Sequence, residues 1–405
     1  MLRTAATVIG ARGLGSLANA LMFVWVAREI SLAEVGRLGA ITSAMTFLFL
    51  ITDLGLATYM PRQWARGFAS EVRRGLRINA QASTVGIAIA CSAIVVLQSA
   101  DILGMFGYSY VLLALALGLE KNTDTGLSLA IAVGARYLPL HSLLIRRLSS
   151  VAIFGSLLAL EVQPLAGFCI ALACGGVFGQ LHYRRWARRF GRMGNGASTA
   201  SVLKASTSFA LANISGSARL LDTAIIASVV GVVGAGPYSA AVRLVNPFAL
   251  VPAALTEVLV PHSAAMRGVD ARKLGLRLVL AGLSALVVCG VGAFFAEDVV
   301  RLILGSRYGR TSPIFAVLLL GLPFVFLSSP LGSVLQGQGK ERLVAWNGLV
   351  FGVLLLGLIA LGAFVGGGLA AAAAIGLVYA FKCVVLGWSV HRLKGGEHAA
   401  GGAGD

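Results

Sequence analysis

Leu343–Ala363 reads LVAWNGLVFGVLLLGLIALGA and Leu369–His391 reads LAAAAAIGLVYAFKCVVLGWSVH, with Lys382 the single Lys, Arg, Asp or Glu in either run. A hydrocarbon core of ~30 Å takes ~20 apolar residues of helix at ~1.5 Å each, so both runs are long enough to cross it. Working outward from this pair, similar runs occupy residues 4–27, 38–60, 78–99, 108–135, 142–160, 164–183, 205–230, 237–260, 276–296 and 312–335. The expectation is an all-α integral membrane protein with about twelve transmembrane helices.

Composition agrees. Hydrophobic residues make up 58% and charged residues 12% of the 405-residue chain, against ~25% charged in a typical soluble domain. The net charge of +17 is an orientation signal, because 24 of the 33 Lys and Arg fall at one set of ends. That set includes Arg62, Arg66, Arg73, Arg74 and Arg77, Arg136, Arg146 and Arg147, and the run from Arg184 to Lys204. Five, among them Arg28, Arg37 and Arg310, fall at the opposite ends. Positively charged loops stay in the cytoplasm, so both termini are expected there. No basic module interleaved with aromatics accompanies the charge, and nucleic acid is not an expected partner. The five cysteines lie within spans without CxxC or Cys/His ligand spacing, so neither a metal nor another cofactor is expected. The first run starts with a basic residue and reads as an uncleaved span.

A shift of 200 residues aligns the two halves. Gly36 falls on Gly236, Pro61 on Pro261, Tyr108 on Tyr308, and Arg73-Arg74-Gly75-Leu76-Arg77 on Lys273-Leu274-Gly275-Leu276-Arg277. Six spans per half leave the halves in one orientation, as parallel repeats related by an axis along the membrane normal. The expected organisation is an N-terminal six-helix lobe (1–190), a cytoplasmic basic linker (191–204), a C-terminal six-helix lobe (205–392) and a disordered tail (393–405), with a central cavity. The repeat also places Glu120-Lys121-Asn122-Thr123-Asp124 inside the fourth helix, because its counterpart Leu320-Gly321-Leu322-Pro323-Phe324 is mid-span.

Charges at bilayer depth cost at least ~2.5–3.5 kcal/mol each on insertion scales, so they face a bundle interior or water. The candidates are Glu120, Lys121 and Asp124 in the fourth span, Arg219 and Asp222 in the seventh, Arg243 in the eighth and Lys382 in the twelfth. Glu120 and Asp124 share a helix face, and Arg219 and Asp222 sit three apart, within pairing distance. Self-neutralised structural pairs are the competing interpretation for the fourth-span cluster and for Arg219 with Asp222, a structural partner for Lys382, and snorkelling to the outer interface for Arg243. Asp53, two residues before Gly55, and Glu257, before Pro261, suit helix packing or gating better than substrate contact. Pro247, Pro252 and Pro261 are expected to bend the eighth helix.

The segment Ala27-Arg28-Glu29-Ile30-Ser31-Leu32-Ala33-Glu34-Val35-Gly36, followed by Asp53-Leu54-Gly55-Leu56 and Pro61-Arg62, resembles the opening of bacterial lipid-linked oligosaccharide flippases. These O-antigen-type flippases form the polysaccharide transporter branch of the multidrug/oligosaccharidyl-lipid/polysaccharide exporter superfamily. Gly236-Pro237-Tyr238-Ser239-Ala240-Ala241-Val242-Arg243-Leu244 and Leu335-Gln336-Gly337-Gln338-Gly339-Lys340 carry the likeness into the second half. The resemblance implies two six-helix lobes that rock between inward- and outward-open states in the bacterial inner membrane. The implied substrate is an undecaprenyl-pyrophosphate-linked oligosaccharide used in cell-surface polysaccharide biosynthesis. It further implies Lys121, Arg219, Arg243 and Lys382 as cavity cations for the pyrophosphate and saccharide, and Glu120, Asp124, Asp222 and Asp53 as coupling or sugar-contacting acids. A polysaccharide polymerase and a chain-length regulator are the implied protein partners, alongside the lipid-linked substrate and membrane lipid.

Physical chemistry reaches the same class separately, since a headgroup of sugars and pyrophosphate loses its water in hydrocarbon and needs a hydrated, cationic path. An ion-coupled multidrug or small-molecule antiporter of the same superfamily is the alternative, kept open by the buried carboxylates. An enzyme is disfavoured: the outward loop from Glu297 to Arg310 is short, and there is no Walker motif and no clustered metal-ligand spacing.

Overall fold

The second span begins at a capping box. Ser31 Oγ accepts a hydrogen bond from the Glu34 amide at 3.2 Å, and the Ser31 amide donates to Glu34 Oε2 at 2.8 Å. Such caps contribute ~1 kcal/mol and fix where a helix starts. The structure, a computed structural model, describes residues 2–135, 137–192, 197–249, 259, 263, 266 and 268–393. The regular elements among them are helices: α1 Leu2–Glu29, α2 Leu32–Thr52, α3 Leu56–Ala65, α4 Ala69–Ser99, α5 Ser109–Ala132, α6 Leu138–Ala159, α7 Pro164–Ala187, α8 Thr199–Gly216, α9 Asp222–Val245, α10 Gly268–Phe294, α11 Ala296–Leu304, α12 Thr311–Gly337 and α13 Glu341–His391. Short 3₁₀ turns at Arg188–Arg192, Ala218–Leu221, Asn246–Ala249 and Ser306–Tyr308 join them.

Among the described residues, eight helical stretches are long and apolar enough to cross a bilayer. The longest, α13, has 51 residues and holds both of the runs quoted first, because Gly366 and Gly367 leave helical geometry between them, with φ +64° at Gly367. α5 runs unbroken through Glu120–Asp124, as the repeat predicts.

Two spans differ from expectation. Residues 38–60 are two helices, α2 and α3, separated by Asp53-Leu54-Gly55, where Leu54 and Gly55 take positive φ (53° and 74°). Gly55 is required twice over, since a Cβ there would also come within 2.6 Å of the α8 backbone at Ser206 and Ala210. Residues 205–230 are also not one helix. α8 ends at Gly216, a 3₁₀ turn follows, and α9 begins at Asp222 and continues to Val245 through a bend at Gly231 (φ 75°) instead of a loop. Pro247 lies in the turn after α9, and Pro252, Glu257 and Pro261 lie outside the described residues, as does 394–405 of the expected tail.

The chain divides into two compact units, Met1–Ser239 and Ala240–Asp405. In the first, α5 is the central helix, packed against α2, α3, α4 and α7, while α6 lies on α7 and α1 on α6. α8 packs on α2, α3 and α4 within the same unit, where Arg74 Nε donates to Ala197 O at 3.1 Å and the Arg62 guanidinium sits 5.6 Å from the Phe209 ring centre. In the second unit α12 packs between α10 and α13. The approach is close where Gly321 faces Gly376: a Cβ on Gly321 would lie 3.0 Å from Gly376 Cα.

One crossing in the first unit involves residues related by the 200-residue shift. A Cβ on Gly36 would fall 1.8 Å from Val232 O, and a Cβ on Gly236 would fall 2.3 Å from Leu32 O. Leu32 and Val232 are themselves counterparts, so α2 and the second half of α9 meet reciprocally across two glycines.

Candidate functional site

The fourth span carries charge because its partners are built around it. At the break between α2 and α3, Asp53 is 1% exposed; its Oδ1 lies 3.2 Å from Lys121 Nζ and accepts a hydrogen bond from Thr125 Oγ1. One turn away, Arg146 of α6 places Nη2 2.6 Å from Asp124 Oδ1 and Nη1 3.5 Å from Glu120 Oε1. Arg147 bonds the same Glu120 oxygen through Nη2 and donates from Nη1 to Asn19 Oδ1 at 3.0 Å. Three carboxylates and three cations thus form one neutral network around a single turn of α5, in two contact groups: Asp53 with Lys121 at the α2–α3 break, and Glu120 and Asp124 with Arg146 and Arg147 of α6, the latter reaching Asn19 of α1. A buried charge is tolerated when paired and hydrogen-bonded in this way. Asp124 is half exposed, and a carboxylate exposed at mid-span faces water and not lipid.

Amide side chains continue the network sideways. Asn79 of α4 donates to Asn122 Oδ1 at 2.7 Å, Asn122 Nδ2 donates to Gln180 Oε1 of α7 at 3.1 Å, and Thr123 Oγ1 donates to the same oxygen at 2.9 Å. All four are buried.

A second polar site lies where α8 gives way to α9. Asp222, 5% exposed, accepts from Tyr238 OH at 2.8 Å and from Thr223 Oγ1 at 2.9 Å. Arg219 Nε is 4.0 Å from Asp222 Oδ2, so the expected pair forms at the limit of contact, with Tyr238 and Thr223 already satisfying the carboxylate. Ser43 of α2 donates to Leu220 O in the unwound turn, which ties the break to α2.

Of the eight residues singled out by sequence, four (Asp53, Glu120, Lys121 and Asp124) share the first network, and Arg219 and Asp222 share the second site. Arg243 and Lys382 lie in the other unit; Lys382 Nζ stands 5.5 Å from the Tyr379 ring centre on its own helix. Arg146 and Arg147 are a correction. The positive-inside count places them with the loops, but they sit within α6, and Arg146 is 4% exposed. The available signal was their position inside the run 142–160 opposite a turn with surplus negative charge. Asn19, Asn79, Thr125 and Gln180 carried no comparable signal, being uncharged polar residues scattered in apolar helices.

No family model matches the chain, and no curated protein matches it. Solved structures do match over nearly its whole length. An inward-facing multidrug-resistance MATE-family transporter of the MOP superfamily superposes with TM-score 0.72 at 15% identity, covering 94% of this chain and 95% of the other. The lipid II flippase MurJ in an inward-closed conformation gives TM-score 0.72 at 12% identity, covering 96% and 87%. The Vibrio cholerae MATE transporter VcmN, in a mutant form, gives 0.64 at 16% identity, covering 96% and 94%. At these identities the likeness is one of fold: this multi-pass membrane protein has the all-α fold that the MATE transporters and MurJ share.

Proposed function

We propose that this protein moves a lipid-linked oligosaccharide, with an undecaprenyl-pyrophosphate anchor, from the inner to the outer leaflet of a bacterial inner membrane by alternating access, for cell-surface polysaccharide such as O-antigen. The observation that carries this reading is how the buried charges are distributed. Asp53, Glu120, Asp124 and Asp222 each have cations or hydroxyl donors in contact, while among the described residues Arg219 has one ion-pair approach, at 4.0 Å, to an already satisfied carboxylate. Free positive charge suits a pyrophosphate headgroup, whereas an organic-cation substrate needs free negative charge. Arg219 is the residue nominated to meet the headgroup. Lys121, Arg243 and Lys382 are proposed to meet it only in states where their present neighbours release them. The lobes 1–190 and 205–392 would be the moving bodies, both termini cytoplasmic, with a polymerase and a chain-length regulator downstream.

The antiporter reading keeps one observation in its favour, the half-exposed Asp124, which a coupling ion could reach. Reconstituted vesicles separate the two. The parent protein should move a short-chain polyprenyl-pyrophosphoryl oligosaccharide between leaflets, and Arg219→Ala should lose that movement while its thermal midpoint stays unchanged. No movement by the parent, together with proton- or sodium-driven efflux of organic cations, would overturn the flippase reading.

A further inference from the structure

The second unit gathers positive charge at one end. Where α10 begins and α13 finishes, Ala271, Leu331, Leu335, Leu386 and Val390 form an apolar core, with Leu274, Val344 and Leu393 packed against it. That core joins the start of α10, the end of α12 and both ends of α13, and a Cβ on Gly275 would fall 2.4 Å from Val390 Cγ1. At the same end stand Arg272, Lys273, Arg277, Lys340, Arg342 and Arg392, all exposed, with two described carboxylates, Asp270 and Glu341. The opposite end of the unit is close to neutral, with Arg301, Arg307 and Arg310 beside Glu297 and Asp298.

Two of these cations are held in a particular way. The Arg392 guanidinium carbon lies 3.5 Å from the centre of the Trp388 ring. Stacking occupies the face of a guanidinium and leaves its N–H edges to the surroundings, in the planar fork that fits a phosphate. Arg272 Nη2 lies 3.4 Å from Nε2 of His391, the residue before Arg392, so a second guanidinium is tied to the same helix end. Lys273 has an exposed pairing with Asp270 at 4.0 Å, a contact too weak to withdraw it. In the first unit, by contrast, α8 engages Arg62 and Arg74.

Trp388 also opens an apolar stripe. Leu377, Phe381, Val384 and Trp388 are exposed and, at spacings of four, three and four, share one face of α13. Trp346, Val350 and Val353 repeat the pattern on the other limb of that helix. A tryptophan at the end of an exposed apolar stripe is the arrangement of a membrane–water interface. Acyl chains can lie along the stripe while a headgroup phosphate reaches the arginines. We propose that the surface around Arg272, Trp388 and Arg392 docks anionic phospholipid of the adjoining leaflet. Charge complementarity chooses the occupant, because six cations with two carboxylates favour a lipid of net negative charge over a zwitterionic one. The proposal does not depend on which substrate the protein moves.

Native mass spectrometry of protein released from nanodiscs of mixed phosphatidylcholine and phosphatidylglycerol tests this. The parent should carry phosphatidylglycerol in preference to phosphatidylcholine. Arg392→Gln and Arg272→Gln, both at exposed positions, should each lower that preference about fivefold at an unchanged thermal midpoint. Trp388→Leu, which keeps the stripe apolar and removes the stacking partner, should lower it less. Arg310→Gln removes the same charge at the opposite end of the unit and should leave the preference unchanged. An equal loss in Arg310→Gln would reduce the effect to net charge and overturn the site. No preference in the parent, or one that survives both Arg392→Gln and Arg272→Gln, would overturn it as well. Release of the lipid by millimolar inorganic phosphate would assign the arginines to a free anion and overturn the lipid proposal.

Discussion

The two units handle charge differently, although their sequences repeat. The first buries Asp53, Arg146 and Asp222; it pairs Asp53 and Arg146 with charges on α5, and Asp222 with Arg219 in the adjoining turn. In the second, the described carboxylates Asp270, Glu297, Asp298 and Glu341 are all exposed. The 200-residue shift shows what replaced the network: Glu120, Lys121 and Asp124 correspond to Leu320, Gly321 and Phe324, and Arg146 and Arg147 to Trp346 and Asn347. Where Lys121 forms an ion pair, Gly321 allows α12 to meet α13 at Gly376. At the positions of this network the second half carries apolar, glycine and amide side chains in place of the charges. Among the described residues the buried ion network is a feature of the first unit.

That contrast can be broken most severely at Arg146. Arg146→Ala strips Glu120 and Asp124 of their shared cation and should destabilise the protein by about 3 kcal/mol or more, seen as a fall in thermal midpoint and in membrane abundance. Restoring neutrality with Glu120→Gln in the same chain should recover part of the loss; no recovery would mean that packing and not charge holds α5 to α6. The backbone crossing common to both halves comes next. Gly36→Ala forces a methyl against Val232 O and should cost about 2 kcal/mol, measured by the same midpoint, and the counterpart change Gly236→Ala should match it if the crossing is reciprocal. A double-mutant cycle on Asp53→Asn and Lys121→Met should return a coupling of about 1 kcal/mol; a coupling of zero would detach the α2–α3 break from the network. The smallest effect belongs to the second unit. Lys382→Met removes a cation–π contact of ~0.5–1 kcal/mol and should leave the thermal midpoint nearly unchanged, so transport lost in that variant would mark Lys382 as a substrate contact.

Much of this was legible in the sequence, because bilayer thickness sets a length scale that apolar runs report directly. The two runs within α13 and the helical placement of Glu120–Asp124 follow from run length and repeat alone. The breaks did not follow. Ser217–Leu221 holds no proline, and its small and apolar residues read like the helix on either side; the unwinding becomes visible only with Ser43 bonding Leu220 O and Tyr238 bonding Asp222. The site was half legible. Charge at bilayer depth is improbable enough to stand out, which exposed Glu120, Lys121, Asp124, Arg219 and Asp222. Arg146 and Arg147 escaped because a rule that counts positive residues near span ends cannot tell a loop arginine from one an extra turn inside the helix.

The reciprocal crossing at Gly36 and Gly236 speaks to descent. When residue i of one segment touches residue j of another, and j's counterpart touches i's counterpart, the contact has the self-complementary form of an isologous dimer. Two separate copies of a half-length ancestor would have met there through the same four residues, Leu32 and Gly36 on each. On that footing a fused pair would need no new interface at this point, and each half would be free to change elsewhere, as the charges at Glu120–Asp124 and the glycine packing at Gly321 differ.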